Sequence, residues 1–292
     1  AVLTLPDGRL ACFQGGEAGS AARIKAAVNA CDLPAASTRA SAALPHTGYQ
    51  RLAGRTLTVI VDTAAPAADL WSETACAQPL ALEVVCGKSR LITNCGWSPV
   101  AGPLHGHRLT ASGSTAAVEL ASAGAPLRGA RARALGPRLV GGARRVEHAL
   151  QETPEAVWLE LSHDGWIRPF GLAHERLLYL DTRNDELRGE DRLLPVQPAG
   201  RMRLLPMTLR FHLAPDVRAS VARDGKSVLL QKPGSAGWWL RNDAGEAVVE
   251  PSVHFEDGAA LAASQVVLRS RITAQDGGRI RWKLAPVAPE KA

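Results

Sequence analysis

One stretch of the chain concentrates the side chains that could do chemistry. Between Ser162 and Leu193, imidazole, guanidinium and carboxylate groups alternate with apolar residues on both sides of the turn Thr182-Arg183-Asn184-Asp185. Such alternation predicts two antiparallel strands that gather polar side chains on one face of a half-buried sheet. The candidate ligand-binding residues in this stretch are His163, Asp164, Trp166, His174 and Arg176.

Four of these residues also have a structural interpretation. His163 and Asp164 stand at a predicted strand-to-turn junction, where a carboxylate can cap the turn and backbone groups can satisfy a histidine. His174 and Arg176 are two residues apart on one predicted strand and therefore share a face. That arrangement suits a sugar carboxylate or a cross-strand pair with Glu190. The pattern favours the structural interpretation over ligand contact for both pairs.

The charge of the chain bears on possible partners. Its 34 lysines and arginines exceed its 28 acidic residues, giving a formal net charge of +6. Arginine dominates the basic residues, and its planar fork pairs with carboxylates, sulfates or phosphates, so a polyanionic partner is one interpretation. A base-composition bias of the genome is the other. The densest basic stretch, Arg128 to Arg145, has no interleaved aromatic residue, so no nucleic-acid partner is predicted.

Membrane and redox signals are weak. No apolar run is long enough to span a bilayer, so no membrane span is predicted. Five cysteines stand at irregular spacing without a C-x-x-C pair, which argues against a disulfide framework and a zinc finger. Cys86 and Cys95 flank a predicted hairpin turn and could face each other, but buried free thiols are the expected outcome. The isolated carboxylates Asp62 and Glu83 are assigned no acid–base role.

The elements that must position these residues are mostly strands. One helix is predicted after Ser20, its candidate N-cap, and it ends at Asp32-Leu33-Pro34. The Ala-, Ser- and Thr-rich residues 35–43 are interpreted as a linker. After Pro45 short strands and turn signals alternate, with no further helix, which predicts a mainly β chain folded as a large antiparallel β-sandwich.

Six motifs together span most of the chain. They are LTLPDGRLACFQGGEAG (Leu3 to Gly19), TGYQRLAGRTLTVIVD (Thr47 to Asp62), SRLITNCG (Ser89 to Gly96), SHDGW to GEDRL (Ser162 to Leu193), FHLAPDVRAS (Phe211 to Ser220) and DGKSVLL (Asp224 to Leu230). With these motifs the chain resembles the heparinase II/III-like polysaccharide lyases, specifically the C-terminal β-sandwich that follows an (α/α) toroid. The resemblance implies that residues 1–44 are the end of the toroid with its linker, and that residues 45–292 are the sandwich.

The resemblance implies a function for the protein of which this chain would be a piece. In the family a cleft between toroid and sandwich binds an acidic polysaccharide and cleaves it by β-elimination. That reaction needs the uronate carboxylate neutralised and a positioned base to take the proton from the adjacent ring carbon. The implied partners are an acidic, uronate-containing polysaccharide and the chain's own N-terminal toroid. The alternative is a non-catalytic glycan-binding or structural sandwich, so enzymatic activity stays open.

The chain departs from the family pattern where the sandwich normally contributes chemistry. Two family histidines align with Cys76 and Gly113, and an aspartate that often precedes an x-Gly pair aligns with Asn94. The resemblance therefore implies no intact catalytic residue in this chain and no zinc cofactor, because the ligands are missing. His105 and His107 stand close enough in sequence to Gly113 to compensate. The compartment is left open between the periplasm and cytoplasm of a Gram-negative bacterium.

Overall fold

A computed structural model describes residues 3–31, 48–97, 113–119, 124–127, 129–136, 138–196, 203–235 and 237–288. Strands dominate these residues. The helices are α1 (Ala21–Ala30), α2 (Gly129–Leu135), α3 (Ile167–Phe170) and one 3-10 helix (Asp69–Glu73). The strands are β1 (Tyr49–Ala53), β2 (Leu57–Asp62), β3 (Leu82–Cys86), β4 (Ser89–Thr93), β5 (Ala116–Val118), β6 (Ala125–Pro126), β7 (Leu139–Val140), β8 (Val146–Glu152), β9 (Ala156–His163), β10 (Leu172–Asp181), β11 (Glu186–Pro195), β12 (Leu204–Leu213), β13 (Arg218–Val221), β14 (Ser227–Gln231), β15 (Trp238–Asn242), β16 (Glu246–Glu256), β17 (Ala259–Thr273) and β18 (Gly278–Pro286).

Two antiparallel sheets build the sandwich. The first has the order β1-β2-β3-β4-β12-β17-β16, with β5 also paired to β12. The second has the order β13-β14-β15-β18-β11-β10-β9-β8. A small ribbon, β6 with β7, stands apart from both sheets. The predicted fold class, a mainly β chain with a large antiparallel sandwich, is confirmed.

The main core lies between the two sheets. In the second sheet alternate residues point inward, as in β9, where Val157, Leu159 and Leu161 are buried while Trp158 faces out. From the first sheet, residues such as Val59 and Leu209 meet them in the same apolar cluster. The period-two burial of the second sheet therefore leaves its outer face open.

Part of the outer face of the first sheet is covered by the segment 3–19. Strand β2 is buried along its whole length, because Ile60 points away from the main core and packs against the segment 3–19. Leu5 and Phe13 of that segment join Ile60 in a second apolar cluster. The first sheet is thus buried on both faces along β1 to β4, whereas its strands β16 and β17 keep exposed residues.

The structure confirms the hairpin predicted for the polar stretch, because β10 and β11 turn where predicted, with Asp181 paired to Glu186. Strands β3 and β4 form the hairpin whose turn is predicted between Cys86 and Cys95, and β1 and β2 form another. Trp238 is buried and its neighbour Trp239 is half-buried, because successive residues of a strand point to opposite faces. The structure describes all five cysteines, and none of them forms a disulfide.

Two local predictions are wrong. Helices do occur after residue 45, namely the 3-10 helix, α2 and α3. Ser20 precedes α1 as predicted, but its side chain makes no capping hydrogen bond, and none of the residues of α1 is buried. The linker predicted over 35–43 lies outside the described residues, and the domain boundary at 44/45 stays a prediction. Along the described residues, no helix combines the length and apolarity that a bilayer crossing needs.

Candidate functional site

The sequence-predicted polar residues form a chain of hydrogen bonds inside the sandwich. His163 Nε2 lies 3.0 Å from His174 Nδ1, and His174 Nε2 lies 2.9 Å from Asp191 Oδ1. Arg176 donates from Nε to the same oxygen at 2.7 Å, while Trp282 donates from Nε1 to the other oxygen at 3.0 Å. Strands β9, β10, β11 and β18 stand side by side in the second sheet, which places these inward-facing side chains in one row.

One backbone hydrogen bond fixes the direction in which protons are donated along this row of hydrogen bonds. The Gly165 N–H donates to His163 Nδ1 at 3.0 Å, so that nitrogen is the unprotonated one. In the neutral ring the proton is then on Nε2, which donates to His174 Nδ1. His174 must in turn carry its proton on Nε2, facing Asp191. Burial lowers the pKa of both histidines below 6.5, which keeps both rings neutral.

Asp191 is the ionised end of the chain. Burial opposes its ionisation, but the charge of Arg176 and the hydrogen bond from His174 outweigh burial and lower the pKa of Asp191 to about 2. Arg176 also donates from Nη1 to the carbonyl of Leu80 at 2.6 Å, in the turn that leads into β3 of the first sheet. The buried ion pair therefore ties the two sheets together as well as neutralising its own charge.

The five residues predicted to bind ligand occupy interior or structural positions. His163, His174, Arg176 and Trp166 are all buried, with His174 and Arg176 fully inaccessible. Trp166 packs beside both imidazoles, its ring centre 4.9 Å from that of His163. Asp164 accepts backbone N–H bonds from residues 144 and 145. Substrate contact by these residues stays a prediction, and their burial supports the structural alternative.

The predicted cross-strand partner of this cluster is wrong by one residue. The β10–β11 register pairs Arg176 with Asp191, whereas Glu190 stands opposite Leu177 and faces outward. Glu190 instead binds Arg192 and lies near Arg279. Trp282 was not anticipated, because it stands 91 residues away from Asp191. The contact between Trp282 and Asp191 follows from the sheet order, which places β18 beside β11.

The position aligned with the first family histidine has no access to solvent. Cys76 is fully buried, and its N–H donates to Gln14 Oε1 at 3.2 Å. Gln14 also donates from Nε2 to Asp62 Oδ2 at 2.7 Å, so the covering segment 3–19 binds this region directly. Burial, partly offset by the bonds from Gln14 and Ala64, raises the pKa of Asp62 to about 7. The sequence predicts Asp62 to be an isolated carboxylate, and nothing in the pattern indicates that its side chain is completely buried.

The two positions aligned with the zinc-binding region do not fit a zinc ion. Asn94 is fully buried and accepts the Ser114 N–H at 2.8 Å through its side-chain oxygen. At Gly113 an added Cβ would lie 2.4 Å from the Cβ of Gln78, so the backbone leaves no room for a side chain. Within the described ranges, no group of three or more His, Cys, Asp or Glu residues could hold a metal. His105 and His107 lie outside those ranges.

The buried charge of Glu83, in β3 of the first sheet, is balanced by neighbouring protein groups. Glu83 Oε1 accepts hydrogen bonds from Cys12 N–H, Thr93 Oγ1 and Asn94 N–H at 2.8–3.1 Å. Burial raises the pKa of Glu83, and the charge of Arg90 with these bonds opposes the rise. Arg90 is itself held by Asp7 at 2.8 Å. The Glu83 carboxylate therefore links the segment 3–19 to β3 and β4.

The fold places the molecule in a class, the two-sheet antiparallel β-sandwich, that solved lyase structures share. The heparan sulfate lyase HepC from Pedobacter heparinus superposes over the whole chain and 46% of its own length, with a TM-score of 0.73 and 12% identity. A heparinase III structure covers 98% of the chain and 47% of its own length, with a TM-score of 0.69 and 13% identity.

Sequence comparison supplies the family. Residues 36–283 match the family described as Heparinase II/III-like, C-terminal, and the chain belongs to that family. It is also 50% identical over 285 residues, 96% of its length, to the FtsZ-localized protein C of Caulobacter vibrioides. The chain spans about half of that relative, 49% of its length. The resemblance inferred from the motifs is thereby confirmed.

Proposed function

We propose that this chain is a heparinase-like sandwich that works without lyase chemistry, as half of a division-associated protein similar to FtsZ-localized protein C. The observation that carries the proposal is the sealing of the aligned histidine positions. Cys76 is buried beneath Gln14, and Gly113 has no space for a Cβ. A general base must reach the proton that it removes, and neither position offers a side chain that could.

The absence of a zinc cofactor is part of the same proposal. Zinc in proteins takes three or four nitrogen, sulfur or carboxylate ligands. Asn94 supplies an amide whose oxygen is already bound to the Ser114 N–H, and Gly113 supplies nothing. We expect zinc addition to leave the thermal unfolding midpoint of the full-length protein unchanged.

The link to cell division rests on the similarity to FtsZ-localized protein C. That relative is named for its localisation with FtsZ, and half of the aligned residues are identical across nearly the whole sandwich. The heparan lyases share the fold at only 12–13% identity. Because fold alone does not determine function, the nearer sequence relative is the better guide.

Co-sedimentation with FtsZ polymers tests the proposal directly. The full-length protein is mixed with FtsZ from the same organism and centrifuged with GTP, with GDP, or without FtsZ. Sedimentation that requires both FtsZ and GTP is expected. A protein that stays in the supernatant under all three conditions contradicts the link to FtsZ.

A lyase assay tests the other half of the proposal. Cleavage of a uronate-containing polysaccharide by β-elimination creates a carbon–carbon double bond that absorbs in the ultraviolet. We expect no absorbance increase when the full-length protein is incubated with heparan sulfate, alginate or polygalacturonate. Turnover of any of them would instead establish the function that the resemblance implies, a polysaccharide lyase acting on an acidic glycan, and overturn the proposed loss of lyase chemistry.

A further inference from the structure

The 3-10 helix (Asp69–Glu73), α2 and β7 enclose a groove that none of the sites above uses. Its volume is about 510 Å³. Leu70, Leu135 and Val140 line it and are all exposed, Leu70 by 79%. Trp71, the neighbour of Leu70 on the 3-10 helix, is 80% exposed. Four large apolar side chains therefore face water around one groove, and clusters of this kind mark interaction sites.

The walls of this groove are held in place by the protein itself. Leu139 of β7 is buried in a small apolar cluster that includes Ala77. Arg138 donates from Nε to the carbonyl of Leu135 at 2.9 Å, and from Nη1 to the carbonyl of Leu70 at 2.8 Å. One arginine therefore ties the last turn of α2 to the 3-10 helix. A groove that is already formed loses little conformational freedom when a partner docks.

The charge of the groove favours an acidic partner. Its lining holds three arginines, Arg131, Arg138 and Arg144, against one carboxylate, Asp69. Glu73, on the same 3-10 helix, lies 3.7 Å from Arg138, so the net charge stays positive when it is counted. Arg131 and Arg144 are exposed, and neither makes an ion pair with a residue that the structure describes. Two guanidinium groups are thus available to carboxylates of a partner.

We propose that this groove docks an acidic amphipathic helix of a protein partner, with apolar side chains in the groove and carboxylates on Arg131 and Arg144. Apolar residues three or four positions apart form one face of a helix, and such faces bind in apolar grooves. On α2, Arg131 and Leu135 are four residues apart and share a face, so a cation and an apolar side chain are presented together. An anionic membrane would also attract the arginines, but a flat surface does not fill a concave groove.

Selection from a random peptide library tests the assignment. The full-length protein is immobilised, and phage-displayed peptides of about 16 residues, roughly four helical turns, are selected on it. The enriched peptides are expected to combine Asp or Glu with apolar residues three or four positions apart. A synthetic copy of the most enriched peptide is then titrated by fluorescence anisotropy. Replacing its carboxylates by amides should weaken binding at least about tenfold.

Variants of the protein locate the binding site of that peptide. Leu70→Ala and Arg131→Glu should each weaken its binding at least about tenfold. Leu261→Ala, at an exposed leucine of β17, and Arg223→Glu, at an exposed arginine between β13 and β14, are the matched controls. Strand β13 lies at the opposite edge of the second sheet from β8, which follows the groove in sequence. Both controls should bind the peptide like the parent protein.

Several results would overturn the inference. One is a selection without the acidic amphipathic pattern, and another is a peptide that binds Leu70→Ala and Arg131→Glu as it binds the parent. If these two variants abolish sedimentation with vesicles of phosphatidylcholine and phosphatidylglycerol, the groove is a lipid contact instead. If they lower the thermal unfolding midpoint of the full-length protein by more than about 5 °C, the groove is covered from within that protein. Because the library presumes no partner, the inference does not depend on the link to FtsZ.

Discussion

At the scale of single residues, Asp191 organises the interior. Three donors converge on its carboxylate, His174 and Arg176 on one oxygen and Trp282 on the other. Because all of these groups are out of contact with water, the cost of burying each charge is recovered only while the set stays complete. The cluster is therefore a stabilising unit that is sensitive to the loss of any one member.

Replacing Asp191 by asparagine tests that interpretation. Asp191→Asn keeps the volume but leaves Arg176 buried without a counter-charge, so the free energy of unfolding should fall by about 3–5 kcal/mol. Denaturant unfolding of the full-length protein measures the change. Glu190→Gln is the matched control, since Glu190 faces outward beside Arg192, and it should cost at most about 1 kcal/mol. Equal losses in the two variants would contradict the special role of the buried pair.

At the scale of elements, one turn fastens the two sheets together at one end. Asp185, in the β10–β11 turn, accepts hydrogen bonds from the Thr56 N–H and hydroxyl and from the Leu57 N–H, all between 2.7 and 3.2 Å. Thr56 and Leu57 belong to the β1–β2 hairpin of the first sheet. Gly54 makes the approach possible, since an added Cβ there would lie 2.5 Å from Asp185 Oδ1.

Removal of this fastening has a predictable cost. Asp185→Ala leaves two backbone N–H groups without their acceptor, and the expected loss is about 2–4 kcal/mol in denaturant unfolding. Asp185 also has a positive φ of 51°, which asparagine tolerates better than alanine, so Asp185→Asn should lose less. The exposed neighbour Asn184→Ala should change stability by only about 0.5 kcal/mol. A loss of similar size at position 184 would show that the turn itself, and not the bridge, matters.

Elements also show where prediction from sequence succeeds and fails. The hairpin of β10 and β11 was predictable because apolar residues alternate on both sides of a polar turn. The helix α2 was missed because its GARARAL sequence has no apolar face to bury. Strand β8 has no comparable sequence signal, since its residues are mostly exposed and do not alternate. The partners of Arg176 came from the register and the sheet order, neither of which is encoded locally.

At the scale of the whole molecule, the two sheets bury titratable groups whose effects on stability oppose each other as the pH changes. The second sheet buries His163 and His174, whose lowered pKa values make the folded state lose stability as the pH falls below 6.5. The first sheet buries Asp62, whose pKa is raised from 3.8 to about 7. The folded protein therefore keeps a proton on Asp62 that the unfolded chain releases, and stability falls as the pH rises from 4 to 7. The two effects oppose each other over much of this range.

Asp62→Asn separates these effects. A shift of three pKa units corresponds to on the order of 4 kcal/mol, so the variant should gain up to that much stability relative to the parent between pH 4 and pH 8. The measurement is denaturant unfolding of both proteins at several pH values. Altered bonding to Gln14 can shift the stability of the variant by the same amount at every pH. That shift does not affect the test, because the test uses only how the difference in unfolding free energy between variant and parent changes with pH. Glu152→Gln, at an exposed position of β8, should show no such slope. A parent–variant difference for Asp62→Asn that does not change with pH would mean that the carboxyl is ionised in the folded protein despite its burial.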